Sequence, residues 1–224
     1  MFPNLSFNNT DNNFPGFGGD FITDNLDTDM FAYIGSGPLM GGYNASTKPT
    51  PPICFNQGTQ ILCLNKDSLE EQYKSIESLR KGDLVKTYRH GYKKIHLIGK
   101  NNMRNNPSEP LNCMYVMKKT QGNTLTEDLY ITGGHSTLVN DLGKYKLEND
   151  KLFYGKRPKI DDKFLLLACV NKEFQKVETR SLYTYYHFTL ENNGKDTQFG
   201  IWANGILAET ADNKTFTKHN FKLL

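Results

Sequence analysis

The chain has 224 residues with 37% hydrophobic content, enough for one ordinary domain with or without a tail. Its net charge of +3 is spread along the sequence and forms no basic stripe, which argues against a nucleic-acid partner. No apolar run approaches the roughly 18 residues needed to span a bilayer, and no basic stretch followed by an apolar one marks a signal peptide.

Residues 1–53 hold five aspartates (Asp11, Asp20, Asp24, Asp27, Asp29) against one lysine, Lys48, so this part carries −4 and the remainder +7. The segment is rich in Asn, Asp, Gly and Phe and has neither a helical nor a strand hydrophobic period. Its aromatic residues are separated by turn formers, as in Asn13-Phe14-Pro15-Gly16-Phe17-Gly18. Residues 1–53 therefore read as a disordered low-complexity tail that ends in a stiff Pro-rich spacer, Lys48-Pro49-Thr50-Pro51-Pro52. That spacer presents the Ile53–Cys54 bond in extended form.

From Cys54 the pattern changes to short strand-like runs bounded by Gly, Asn, Pro or Asp. Strands are predicted at 59–64, 83–88, 92–99, 111–117, 128–132, 136–139, 164–170, 181–190, 199–202 and 206–208. Arg89-His90-Gly91 and Asn192-Asn193-Gly194 have the composition of hairpin turns. One short helix is expected around 67–79, with Asp67 or Ser68 as its cap. The fold class is all-β, one domain of curved hairpins over 54–212, followed by a short C-terminal tail at 213–224. None of the four cysteines (Cys54, Cys63, Cys113, Cys169) sits in a CxxC pair. Reduced thiols in an intracellular setting are expected, with no metal-ligand spacing and no cofactor.

Cys54 opens the domain straight after a proline run, an odd place for a structural thiol and a natural one for a nucleophile acting on the bond before it. Such a nucleophile needs a base, because a free thiol is only a few per cent ionised near neutrality. It also needs an acid to protonate the departing amine, and imidazole can serve in either role.

Four segments downstream bear on this need. Cys54-Phe55-Asn56-Gln57-Gly58-Thr59-Gln60-Ile61 is a C-F-x-x-G-T-x-I pattern, and Glu77-Ser78-Leu79-Arg80-Lys81-Gly82-Asp83 is a turn leading into a strand. Thr132-Gly133-Gly134-His135 is a T-x-x-H, and Tyr186-His187-Phe188-Thr189-Leu190 precedes Ala203-Asn204-Gly205-Ile206-Leu207-Ala208-Glu209-Thr210. In this order and spacing they resemble the Hint superfamily of self-processing domains shared by inteins and Hedgehog proteins, above all stand-alone Hint domains opening with C-F-x-x-G-T-x-I.

The resemblance implies a horseshoe-like fold and a thiol attack of Cys54 on the carbonyl of Ile53. It gives His135 the role of acid and Thr132 that of hydrogen-bonding the scissile amide. His187 stands where inteins carry an aspartate and is the candidate base, with Asn204 as support. The substrate is then the chain's own N-terminal segment, and the acceptor is water or another nucleophile.

The chain departs from splicing inteins at Glu209-Thr210, where neither residue can cyclise as a terminal asparagine does. The later His219-Asn220 pair is followed by Phe221, which is no nucleophile, and reads as coincidence. Cleavage without splicing is the expectation. The alternative is a catalytically silent Hint fold serving as a structural or binding module. A conventional cysteine hydrolase acting in trans is disfavoured because Cys54 opens the domain instead of lining a cleft.

Overall fold

The computed structural model describes residues 52–192 and 197–224. The expected low-complexity tail and most of the turn at Asn192-Asn193-Gly194 lie outside the described residues. What is described is dominated by antiparallel strands: β1 (Phe55–Asn56), β2 (Gln60–Leu64), β3 (Glu71–Ser75), β4 (Leu84–Lys86), β5 (Tyr92–Arg104), β6 (Met114–Met117), β7 (Leu129–Thr132) and β8 (Ser136–Val139). After helix α1 (Lys146–Leu152) follow β9 (Lys159–Ile160), β10 (Lys163–Leu167), β11 (Gln175–Lys176), β12 (Leu182–Leu190), β13 (Gly200–Ala203) and β14 (Ile206–Glu209). Helix α2 (Asn213–Lys218) and β15 (Lys222–Leu223) complete it.

The strands form one unclosed sheet in the order β11-β6-β7-β1-β12-β5-β4-β2-β13-β14-β8-β10-β9, with β15 added to β5 and β3 to β2. The 13-residue β5 pairs with β12 along one stretch and with β4 along another. It thereby joins the two halves of a curved sheet. One large apolar cluster is built on Phe55, Ile61, Ile95, Ile131, Phe188 and Ile201, from strands of both halves. A second gathers Leu138, Phe153, Leu165 and Leu167 beside α1. There Asn149 of α1 donates to the Leu165 carbonyl and accepts from the Leu167 N–H, so that the short helix is tied to β10 by side-chain bonds.

Two expectations need correction. The helix around 67–79 is instead β3 followed by a 3-10 turn at Ile76–Ser78. Its composition favours a helix, but β2 offers five paired positions from Gln60↔Ser75 to Leu64↔Glu71. Pairing and burial of Ile76 and Leu79 override a weak local propensity. Residues 213–224, expected as a short tail, carry α2 and β15 folded onto β5. Gly99 of β5 makes room for them: a Cβ there would stand 2.6 Å from the Cβ of Phe221.

Candidate functional site

Cys54 ends the chain's approach to the sheet, one residue before β1. Phe55 pairs with Ile131 on one side and with Tyr186 on the other. Continuing both registers by one residue brings Cys54 opposite Thr132 and opposite His187. The Thr132 N–H donates to the Cys54 carbonyl at 3.1 Å, as that register requires. Residues far apart in sequence therefore meet because β1 is wedged between β7 and β12.

The Thr132 hydroxyl spans the bond at issue. It accepts the Cys54 N–H at 3.0 Å and donates to the Pro52 carbonyl at 2.5 Å. The nitrogen of the Ile53–Cys54 amide is thus held by one side chain, which also pins the residue preceding Ile53. Thr132, Ile53 and Cys54 are all buried.

His135 follows in a turn fixed from every side. Its N–H bonds the Thr132 carbonyl, Gly133 donates to Cys113, Gly134 to Leu111, and Ala168 donates to the His135 carbonyl. A Cβ on Gly133 would come within 1.9 Å of the Pro110 carbonyl oxygen, so the turn can close against the 3-10 turn at Pro110–Asn112 only with glycine there. The His135 ring packs on Phe55, with centroids 4.2 Å apart, and on His187 at 5.3 Å. Its Nε2 lies 3.1 Å from the Glu209 carbonyl oxygen, which can only accept. Nε2 therefore carries the proton, and Nδ1, which has no partner, presents its lone pair. Burial pushes the imidazole down to about 4, while the backbone of Cys54 and Glu209 beside it pulls weakly the other way.

His187 is equally buried, but neither ring nitrogen has a partner. Burial first, then the charges of His135 and His219, hold it well below the ordinary imidazole range. Burial also pushes the Cys54 thiol well above its usual value. All three groups rest neutral. A separate thiolate or imidazolium is costly in such a site, whereas a thiolate formed beside an imidazolium gains their mutual attraction in a low dielectric.

Asn204 is brought to a different place. Its side chain accepts from the Gln60 N–H at 2.6 Å and donates to the Asp128 carbonyl at 2.9 Å. Asn204 and Gly205 both have positive φ, the backbone of a tight β13–β14 turn. This residue ties the turn to β2 and to the residue preceding β7, and no hydrogen bond links it to the Cys54 group. Glu77 and Asp83 hold turns, accepting from Gly58 and Arg80.

Two residues near the site escape a reading of the sequence. Glu209 is a buried carboxyl that accepts from the Ser136 N–H at 2.7 Å and from the Gln198 side chain at 3.0 Å. Its place beside His135 follows from the β14–β8 pairing, which no local pattern announces. His219 caps the C-terminal end of α2, and its charge acts on His187. It borders a cavity of about 480 Å³ that also reaches Pro52, Asn101, Arg104 and Tyr185. The His219-Asn220 pair is thus close to the site because of how α2 folds back. Among the described residues no helix is long and apolar enough to cross a membrane.

A family model described as Hint domain matches residues 53–214, well over half of the chain. The match begins one residue before Cys54 and takes in Thr132, His135, His187 and Glu209. No curated protein matches the chain.

Proposed function

The chain belongs to the Hint domain family, and on that premise we propose that it is a self-processing domain that cleaves its own Ile53–Cys54 bond without splicing. The observation that carries this reading is the Thr132 hydroxyl bonded to the Cys54 N–H, with the His135 ring beside the same residue. An amide nitrogen held this way is positioned for the proton it must gain to depart.

The thiol proton of Cys54 passes to an imidazole, His187 by assignment, and Sγ attacks the Ile53 carbonyl carbon. The C–S bond forms, the C–N bond breaks, and the proton taken up by His187 passes to Nδ1 of His135, which delivers it to the departing amine of Cys54, so that both rings end neutral. The product is a thioester with a free α-amine on Cys54, an isomer of the starting chain. Water or another nucleophile then attacks the same carbon, the acyl group leaves with it, and the Cys54 sulfur regains a proton. The cavity that reaches Pro52, one residue before Ile53, supports access of a small acceptor to this bond.

The burial of Cys54 and its raised thiol favour a second reading, a silent Hint fold kept as a binding or structural module. Intact-mass measurement of the full chain, with and without dithiothreitol or hydroxylamine, separates the two. Self-processing predicts loss of the mass of residues 1–53 from wild type and an intact Cys54→Ala chain. A wild type that stays whole under both reagents would leave the silent module.

A further inference from the structure

Glu209 holds the Thr132–His135 turn through two separate groups, one on His135 and one on the residue after it. Its carbonyl oxygen takes the Nε2 proton of the imidazole at 3.1 Å, which fixes the ring's tautomer. Its carboxyl takes the N–H of Ser136, the next residue along, at 2.7 Å. The second carboxyl oxygen is held by Gln198 Nε2 at 3.0 Å, and that same amide nitrogen also donates to the Thr210 carbonyl. A buried acid ringed by N–H donors costs more to keep than an apolar side chain would. Nothing in the sheet pairing calls for a carboxyl at this position.

We propose that Glu209 is the positioning residue of His135, clamping the T-x-x-H turn to β14 and tuning the imidazole by the charge on its carboxyl. This rests on the self-processing reading above, since His135 needs tuning only if it moves a proton. When the carboxyl is ionised it stabilises the imidazolium, so His135 gains a proton more readily and delivers it to the departing amine. When the carboxyl is protonated that help is gone, while the clamp on Ser136 remains.

The ionisation falls in a useful range. Burial pushes the Glu209 carboxyl up to about 7, and the charge of Asp212 adds to the rise. Hydrogen bonds from Ser136 and Gln198 oppose it. The other titratable groups facing this region are His135 itself, His187 behind it, and Asp161, whose carboxylate accepts the N–H of Gly200 opposite Glu209.

Two measurements on the full chain test this. In the first, the histidine side chains of uncleavable Cys54→Ala protein are labelled with nitrogen-15 and followed by NMR from pH 5 to 9. The His135 resonances are expected to move with a midpoint near 7, and to lose that step when E209Q is added. The amide oxygen of E209Q can still accept from Ser136, so the fold is kept, which backbone amide spectra verify. In the second, cleavage rates of wild type and E209Q are compared across the same range. Their ratio is expected near one at pH 5.5, rising to tenfold or more above pH 8, the effect of about one pKa unit on His135.

His135 resonances that ignore pH in this range, or respond equally in E209Q, would overturn the proposal. So would a rate ratio that is flat with pH. A wild type that never cleaves removes the self-processing reading and leaves the NMR measurement to decide whether Glu209 governs His135.

Discussion

His135 and His187 sit ring to ring in one buried site, yet the two regions that carry them are built on opposite terms. The Thr132–His135 turn is bonded along its whole backbone, and one imidazole nitrogen is committed to Glu209. The His187 stretch of β12 is an ordinary ladder position opposite Gly99, with both ring nitrogens unclaimed. A ring whose Nε2 proton is committed to Glu209 can take up and deliver a further proton only at Nδ1, which suits transfer to one atom, the amide nitrogen that Thr132 holds. Two uncommitted nitrogens suit a group that takes a proton and gives it up again. On the self-processing reading proposed above, the difference in anchoring assigns the acid to His135 and the base to His187, which residue type alone does not.

The sharpest way to break this comparison is to remove the anchored ring. His135→Ala is expected to slow thioester formation about 10³-fold, the scale of lost general acid catalysis, as read by intact-mass time courses. A smaller loss than that caused by His187→Ala would reverse the two assignments.

Next comes the stability linked to the same ring. The folded His135 titrates near 4, below the ordinary histidine value, so folding favours its neutral form. That contribution is fully present above pH 6.5 and is lost as pH falls through 4, amounting to about 3 kcal/mol. Urea melts of Cys54→Ala at pH 7.5 and pH 4 should show this loss, and adding His135→Gln should remove most of the difference. Glu209 works with the opposite sign: its raised carboxyl disfavours folding as pH climbs from 4.5 through 7. A melt series in which E209Q left the alkaline side unchanged would show that the carboxyl is not buried in solution.

The turn itself can be loosened more gently. Thr132→Val keeps the shape but leaves the Cys54 N–H without its acceptor. Cleavage is expected to fall 10- to 100-fold, about 2 kcal/mol, the scale of one buried hydrogen bond. Thr132→Ser should restore most of the rate, because it returns the hydroxyl. A loss in the Ser variant with none in the Val variant would mean that the methyl group, and not the hydroxyl, matters.

How much of this was legible beforehand follows from what each feature depends on. The strand-rich fold shows in alternating apolar runs such as Gln60–Leu64, where burial follows the strand period. Thr132, His135 and Cys54 could be picked out because each lies in a local motif with a family resemblance behind it, and the registers of β1 bring them together. Glu209 and His219 could not, since their positions depend on β14 lying beside β8 and on α2 folding over β5. The false helix at 67–79 failed for the same reason: β2 supplies partners that local propensity does not foresee. Asn204 was ambiguous beforehand because Asn-Gly serves a tight turn and a motif equally well, and its side chain holds the β13–β14 turn.

The weakest and most telling test concerns the unanchored ring. If His187 takes the thiol proton, His187→Gln should slow thioester formation about tenfold near neutrality, at the low end of general base effects. The burial that raises the Cys54 thiol also fixes the sign of the pH response. Without an internal base, attack waits on free thiolate, so the rate should rise about tenfold per pH unit while the thiol stays mostly protonated. Wild type, with a base in place, should level off earlier. Fragment yields at pH 6, 7, 8 and 9 would show the two curves converging at the alkaline end. Parallel curves would mean that His187 merely packs against Phe55, and His135 would then have to carry the proton in both directions.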